Sequence, residues 1–263
     1  MVYNPDSARR KERITAVLVA DLTPTQLDNV QEAFGIGATL CSPMPPEQLF
    51  IHDKREWSAS SHAEMKRAYS DSQPLLIVDS RTPVDGAVWY IDRFATPDEV
   101  EDGEAENTDT LYKIRMNIQD VVISYVNYGL NTDIREDMDQ VDIPYPTPEN
   151  FDQDTVFMTG FDYIQDRFLS PTWVTATPDE MDQTTDGHVL DKFMPRPDIA
   201  YRLKPDVAHS HGLKCSWTLG STAKDIQLPD GTILKFPEGS KVLQLDYDPE
   251  TAAPKYEKPD GSL

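Results

Sequence analysis

Three aspartates stand where mixed α/β proteins often place chemistry. Asp21 closes the apolar run Ile14-Thr15-Ala16-Val17-Leu18-Val19-Ala20, Asp79 closes Leu75-Leu76-Ile77-Val78, and Asp85 follows in the turn between Arg81 and Gly86. Carboxylates at the exits of buried strands suit a hard cation such as Mg²⁺, which takes oxygen ligands. Asp79 would then serve as a nucleophile toward a phosphoryl donor, or as an anchor for metal-assisted hydrolysis. A second constellation is His209-Ser210-His211-Gly212-Leu213-Lys214-Cys215. On an extended segment His209 and His211 share a face and Cys215 can return to it, a donor set for Zn²⁺, with His188 as a candidate fourth ligand. The spacing matches no standard zinc finger. Acids at Asp137, Asp139 and Asp142, and at Glu149, Asp152 and Asp154, offer oxygens to Ca²⁺ but lack the glycine and terminal glutamate of an EF-hand loop. Each set also has a plain structural reading: helix-capping and turn acids, loop histidines and a small core cysteine.

The elements that must position these groups follow from pattern. The two apolar runs read as buried strands. After the first, Thr23 caps a helix, Pro24 suits its first turn, Gln26 completes a capping box, Leu27, Val30 and Phe34 share a face, and Gly35 is the expected stop. Prolines 43, 45 and 46 make a loop that leads to a short strand at 49–51. A second helix starts from Ser61 with Glu64 as box partner and Met65, Ala68 and Tyr69 facing inward. The turn at Asp85-Gly86 predicts a returning strand over 87–94. The acidic stretch 97–110 reads as a solvated loop. In 112–118, Tyr112, Ile114, Met116 and Ile118 alternate with Lys113, Arg115 and Asn117, the period of a half-buried strand. A helical or mixed segment over 121–138 closes this unit.

Prolines 144, 146 and 148 predict an extended linker over 142–150. The expected order is a flexible N-terminus 1–12, an α/β domain 13–141, that linker, a β-rich domain 151–248 and a disordered tail 249–263. Three short strands at 225–228, 232–236 and 241–247 read as a β-meander. The fold class is therefore α+β. Trp57 and Trp217 are the candidate contact residues of a binding face, because aromatics dominate contact energy there. Trp89 and Trp173 read as core.

Val17-Leu18-Val19-Ala20-Asp21 and Leu76-Ile77-Val78-Asp79-Ser80-Arg81-Thr82-Pro83 resemble the acidic strand end and phosphoacceptor strand of response-regulator receiver domains. The resemblance implies Mg²⁺ held by Asp21 and phosphorylation of Asp79. The chain departs from it in having Ala20-Asp21 for the family's acid pair and a strand after Gly86 for its helix. A broader resemblance over about 14–140 is to an uncharacterised bacterial and fungal domain family. It is carried by the strand ending in acid, Val78-Asp79-Ser80-Arg81-Thr82, the Val-Trp strand, Tyr112-Lys113-Ile114-Arg115 and Asn127-Tyr128-Gly129-Leu130-Asn131-Thr132-Asp133-Ile134-Arg135-Glu136. It implies a small α/β domain with no assigned activity.

Composition narrows the classes. The 263 residues carry 46 Asp and Glu against 24 Lys and Arg, a net charge of −22, which repels phosphate backbones and anionic bilayers. Nucleic acid and membrane are thus poor partners, and a protein partner is the better expectation. No run approaches the ~20 apolar residues of a membrane helix. Two distant cysteines imply no disulfide framework and point to a cytoplasmic setting. There is no dinucleotide fingerprint at 35–40, no Walker loop, no Gly-x-Ser-x-Gly elbow, no His-Glu-x-x-His and no Cys-x-x-Cys. These absences predict a non-catalytic binding or assembly module, with the strand-end aspartate enzyme as the alternative. No cofactor is expected with force, Zn²⁺ and Mg²⁺ being the candidates.

Overall fold

The computed structural model describes residues 13–40, 48–130, 132–162, 171–227, 231–248, 250–251 and 261–263. The expected flexible N-terminus, the turn at 228–230 and most of the tail lie outside them. The fold is α+β, and the chain forms two compact units that divide between Phe161 and Asp162.

The larger unit is built on a five-stranded sheet: β1 (Arg13–Leu18), β2 (Gln48–Asp53), β3 (Leu75–Val78), β4 (Ala87–Phe94) and β5 (Leu111–Asn117), in the order β2-β1-β3-β4-β5. Strand β1 runs parallel to both β2 and β3, whereas β4 and β5 return antiparallel. Residues 16–18 of β1 and all of β3 are buried, as their unbroken apolar runs require when both faces of a sheet are covered. The chain leaves β1 on one side for β2 and on the other for β3, which places a topological switch point at their carboxyl ends.

Helix α1 (Pro24–Leu40) starts as expected, with Thr23 N–H donating to Gln26 Oε1 at 2.9 Å and Gln26 N–H to Thr23 Oγ1 at 3.3 Å. It does not stop at Gly35. Val30, Phe34 and Ala38 continue one buried stripe past that glycine, and burial outweighs the ~1 kcal/mol propensity cost. A Cβ on Gly37 would lie 1.9 Å from the carbonyl oxygen of Gln119, in the 3₁₀ turn Ile118–Asp120, so glycine is required there by close approach. Helix α2 (His62–Ala68) carries the full Ser61–Glu64 capping box; Met65 is buried, but so is Lys66, while Ala68 faces solvent. The turn after β3 contains the one-turn helix α3 (Thr82–Asp85), and Gly86 reverses the chain at φ 67°.

The acidic stretch 97–110 is more ordered than a solvated loop. A third capping box, Thr96 with Glu99, starts α4 (Pro97–Glu101), and Arg93 grips the Glu99 carboxylate through two hydrogen bonds of 2.8 and 2.7 Å. One well-placed cation makes a buried acid tolerable. Helices α5 (Val121–Leu130) and α6 (Ile134–Gln140) follow, the latter capped by Asp133 and Glu136.

The proline run at 142–150 belongs to the larger unit. Ile143, Phe151 and Phe157 join its core, and Thr147 N–H bonds to Glu104 O at 3.1 Å. Phe157 then pairs with β5, donating to Arg115 O at 2.9 Å and accepting from Asn117 N at 3.0 Å. Strand β5 is consequently buried on both faces, not half-buried: Lys113 and Arg115, the expected solvent face, are 6% and 0% exposed.

The smaller unit contains β6 (Thr172–Ala176), β7 (Met181–Thr184), α7 (Gly187–Leu190), β8 (Ala200–Leu203), α8 (Pro205–Ser210), β9 (Gly220–Thr222), β10 (Ile226–Gln227), β11 (Ile233–Leu234) and β12 (Lys241–Leu245). The meander forms only in part. Strands β10 and β11 pair as a hairpin, but β12 lies between β6 and β9, because Leu243 and Leu245 must join Val174 and Ala176 in the core. Trp173 alternates with those core residues and is 46% exposed, so its side chain is not the core residue expected from sequence. No helix among the described residues is long and apolar enough to cross a membrane.

Candidate functional site

Local turn chemistry fixes Asp79 before any tertiary contact does. Its Oδ1 accepts from Arg81 N–H at 3.0 Å and from Thr82 N–H at 3.1 Å, while its own N–H donates to Thr82 Oγ1 at 3.1 Å. An aspartate that spends its oxygens on the backbone two and three residues ahead is the standard opening of such a turn. At the far end of α3, Asp85 Oδ1 accepts from Ala87 N–H at 3.0 Å. The two carboxylates thus face the same side of the β3–β4 reversal.

Arg115 reaches both from β5. Its Nη1 donates to Asp79 Oδ2 at 2.9 Å and its Nη2 to Asp79 Oδ1 at 3.2 Å; its Nε and Nη2 donate to Asp85 at 2.9 and 3.0 Å. The planar fork of a guanidinium suits paired carboxylates in this way, and a lysine could not reproduce it. Burial pushes the Asp85 carboxyl up, but the bonds from Arg115 and the Ala87 N–H outweigh it and hold it below the usual range. Gln153 braces the strand: its Oε1 accepts from Arg115 N–H at 2.8 Å and its Nε2 donates to Arg115 O at 3.0 Å. Trp89, opposite Arg115 in the β4–β5 register, lies under the guanidinium at 5.9 Å.

Asp21 comes to the same end of the sheet but a different environment. Its side chain is 92% exposed and meets Arg55 Nη1 at 3.2 Å, while Arg55 is chiefly held by Asp53. Hydrogen bonding to Asp53, then to Asp21, raises the Arg55 pKa, so its charge is fixed. Between the ends of β1 and β3 lies a crevice of about 340 Å³ lined by Val19, Ala20, Asp21, Arg55, Ser58, Asp79 and Ser80. Asp21 and Asp79 therefore share a cavity at the switch point, whereas Asp85 is turned to Arg115.

Sequence reasoning missed a neighbouring pair. Lys113 Nζ lies 4.7 Å from the Trp89 ring centre and 4.8 Å from that of Phe151, and contacts His62 Nδ1 at 3.3 Å. Burial lowers the Lys113 pKa to about 8. Burial first, and the Lys113 charge second, lower His62 to about 4. The signal was present in β4, whose unbroken run Ala87-Val88-Trp89-Tyr90-Ile91 declares both sheet faces covered, and hence the polar residues of its partner strand buried.

The His62 shift makes a pH prediction. A folded-state histidine pKa below the unfolded 6.5 means that the unfolded chain binds more protons between the two values. Stability from neutral His62 is therefore complete above about pH 6.5 and is lost as pH falls through 4, by at most about 3 kcal/mol and less for its partial exposure. Urea unfolding between pH 7 and 4 should show this loss, and His62→Gln, which keeps an acceptor for Lys113, should flatten it. Glu99, held at about 2 primarily by Arg93, loses its contribution in the lower window from 4.5 downward.

The remaining expected residues are not gathered into a site. His209 lies in the last turn of helix α8 and His211 is its C-cap, so they do not lie on one extended face; both are exposed. Cys215 is exposed, and its Sγ donates to Leu203 O at 3.3 Å. Among the described residues no three His, Cys, Asp or Glu side chains are grouped to hold a metal ion. Trp57 is half-buried against the core, 5.9 Å from Tyr69 and 5.5 Å from Lys54 Nζ. Trp217 is covered on one face by Arg202 at 4.6 Å, itself paired with Asp182. Neither tryptophan is an open contact residue. No family model, curated protein or solved structure matches the chain, and its role rests on this geometry.

Proposed function

We propose that this chain is a non-catalytic binding or assembly module whose larger unit binds at the crevice between β1 and β3. The observation that carries the reading is the commitment of Arg115 to Asp79 and Asp85. A carboxylate that acts as base, nucleophile or metal ligand works through a negative charge available to its substrate, which an ion pair with a buried arginine offsets. Asp79 spends both oxygens on Arg115 and its own turn, and Asp85 does likewise with Arg115 and Ala87. The acidic balance of the chain argues against a nucleic-acid partner, as does the absence of a basic stripe in its sequence.

A second reading keeps one observation in its favour, the presence of Asp21 and Asp79 in one cavity. It would make Asp79 a phosphoacceptor or metal anchor. Incubation with Mg²⁺ and acetyl phosphate, followed by intact-mass measurement, separates the two. The binding reading expects no phosphoryl adduct, in wild type or in Asp79→Asn. An adduct that wild type acquires and Asp79→Asn does not would overturn it.

A further inference from the structure

We infer that the crevice at the carboxyl ends of β1 and β3 takes a small organic cation carrying several N–H donors, a guanidinium or primary amine on a short apolar stem. This deepens the binding reading above and rests on it.

The inventory of polar groups in the crevice sets the ligand class. Asp21 offers a carboxylate whose one ionic contact among the described residues is a single Arg55 nitrogen at 3.2 Å. Ser58 and Ser80 line the same cavity, and their hydroxyls make no hydrogen bond among the described residues. The one cationic lining residue, Arg55, is spent: Nε and Nη2 go to Asp53 and Nη1 to Asp21. The two hydroxyls can donate as well as accept, but one arginine shared between the Asp53 and Asp21 carboxylates leaves this cluster with a net negative charge, which favours a cationic, donor-rich ligand and disfavours a phosphate. Val19 and Ala20 supply an apolar wall for a methylene stem. About 340 Å³ lies at the lower end of small-ligand sites, which limits the ligand to a few heavy atoms beyond its charged head. The −22 charge of the chain adds a long-range attraction for cations that falls with salt.

Agmatine, with a guanidinium and an amine on four methylenes, is the probe. Titrated into the full chain at low salt and pH 7, it should shift the amide resonances of residues 19–21, 58 and 79–80. Asp21→Asn should weaken its binding about tenfold, the size of one charge-assisted hydrogen bond. Asp206→Asn, which removes the same charge from the smaller unit, should leave it unchanged. Equal weakening by the two variants would reduce the effect to the general field and overturn the inference, as would tighter binding of inorganic phosphate at the same resonances. No shift with agmatine, and no phosphoryl adduct on Asp79, would defeat this inference alone; an adduct would defeat the reading beneath it.

Discussion

Arg115→Met is expected to destabilise the protein by about 3–5 kcal/mol, the range for breaking a buried ion pair by removal of one partner. The side chain is fully buried, and the two carboxylates it serves are 21% and 23% exposed. Without the guanidinium, Asp79 and Asp85 are left as two partly desolvated like charges at one reversal of the chain. The loss is therefore expected to shrink as pH falls and the carboxylates take up protons. Adding Asp79→Asn and Asp85→Asn to Arg115→Met should recover most of the stability, since an uncharged pair no longer needs a counter-ion. Arg115→Lys should fall between, because an ammonium cannot fork to both acids. Urea unfolding of this series at pH 7 and pH 5 is the measurement. If Arg115→Met unfolds at the wild-type midpoint, the clamp is not what holds the β3–β4 turn to β5.

Gly37→Ala should cost about 2–3 kcal/mol, even though alanine is the better helix former by ~1 kcal/mol. The added methyl would sit 1.9 Å from Gln119 O and 2.8 Å from Gln119 C, and both are backbone atoms that no rotamer change can move aside. Helix α1 would have to withdraw from the 3₁₀ turn that precedes α5, opening the buried stripe of Val30, Phe34 and Ala38. Gly129→Ala is the matched control. It lies in α5 with nothing within 4 Å of the new methyl, and should stabilise by up to about 1 kcal/mol. Opposite signs for these two substitutions, read as shifts in thermal midpoint, separate close approach from helix propensity. A stabilised Gly37→Ala would show that α1 is not seated on Gln119.

The sites divide along a similar line. Asp79 was legible because Asp-Ser-Arg-Thr after a strand is a turn whose side-chain bonds close within three residues. Its neutralisation was not legible, because Arg115 lies 36 positions later on an antiparallel strand and reads there as a solvent-facing alternation. The zinc reading of His209, His211 and Cys215 failed on a local error. Pro205 opens a short helix through Ser210, so the period-two argument did not apply to His209. Trp173 failed for a different reason: strand periodicity says that neighbours face opposite ways but not which face the core will cover.

By itself, the amino-acid sequence determined the elements whose bonds are short in range. These are the apolar strands β1 and β3, the capping boxes at Thr23 and Ser61, and the reversal at Gly86. Each needs only a pattern of side chains within one turn or one strand. The tertiary structure alone decided what covers β5, where β12 pairs, why α1 runs past Gly35, and that Asp79 and Asp85 meet a buried arginine. Those outcomes depend on which distant surfaces must be hidden from water together, and burial is a property of the assembled chain.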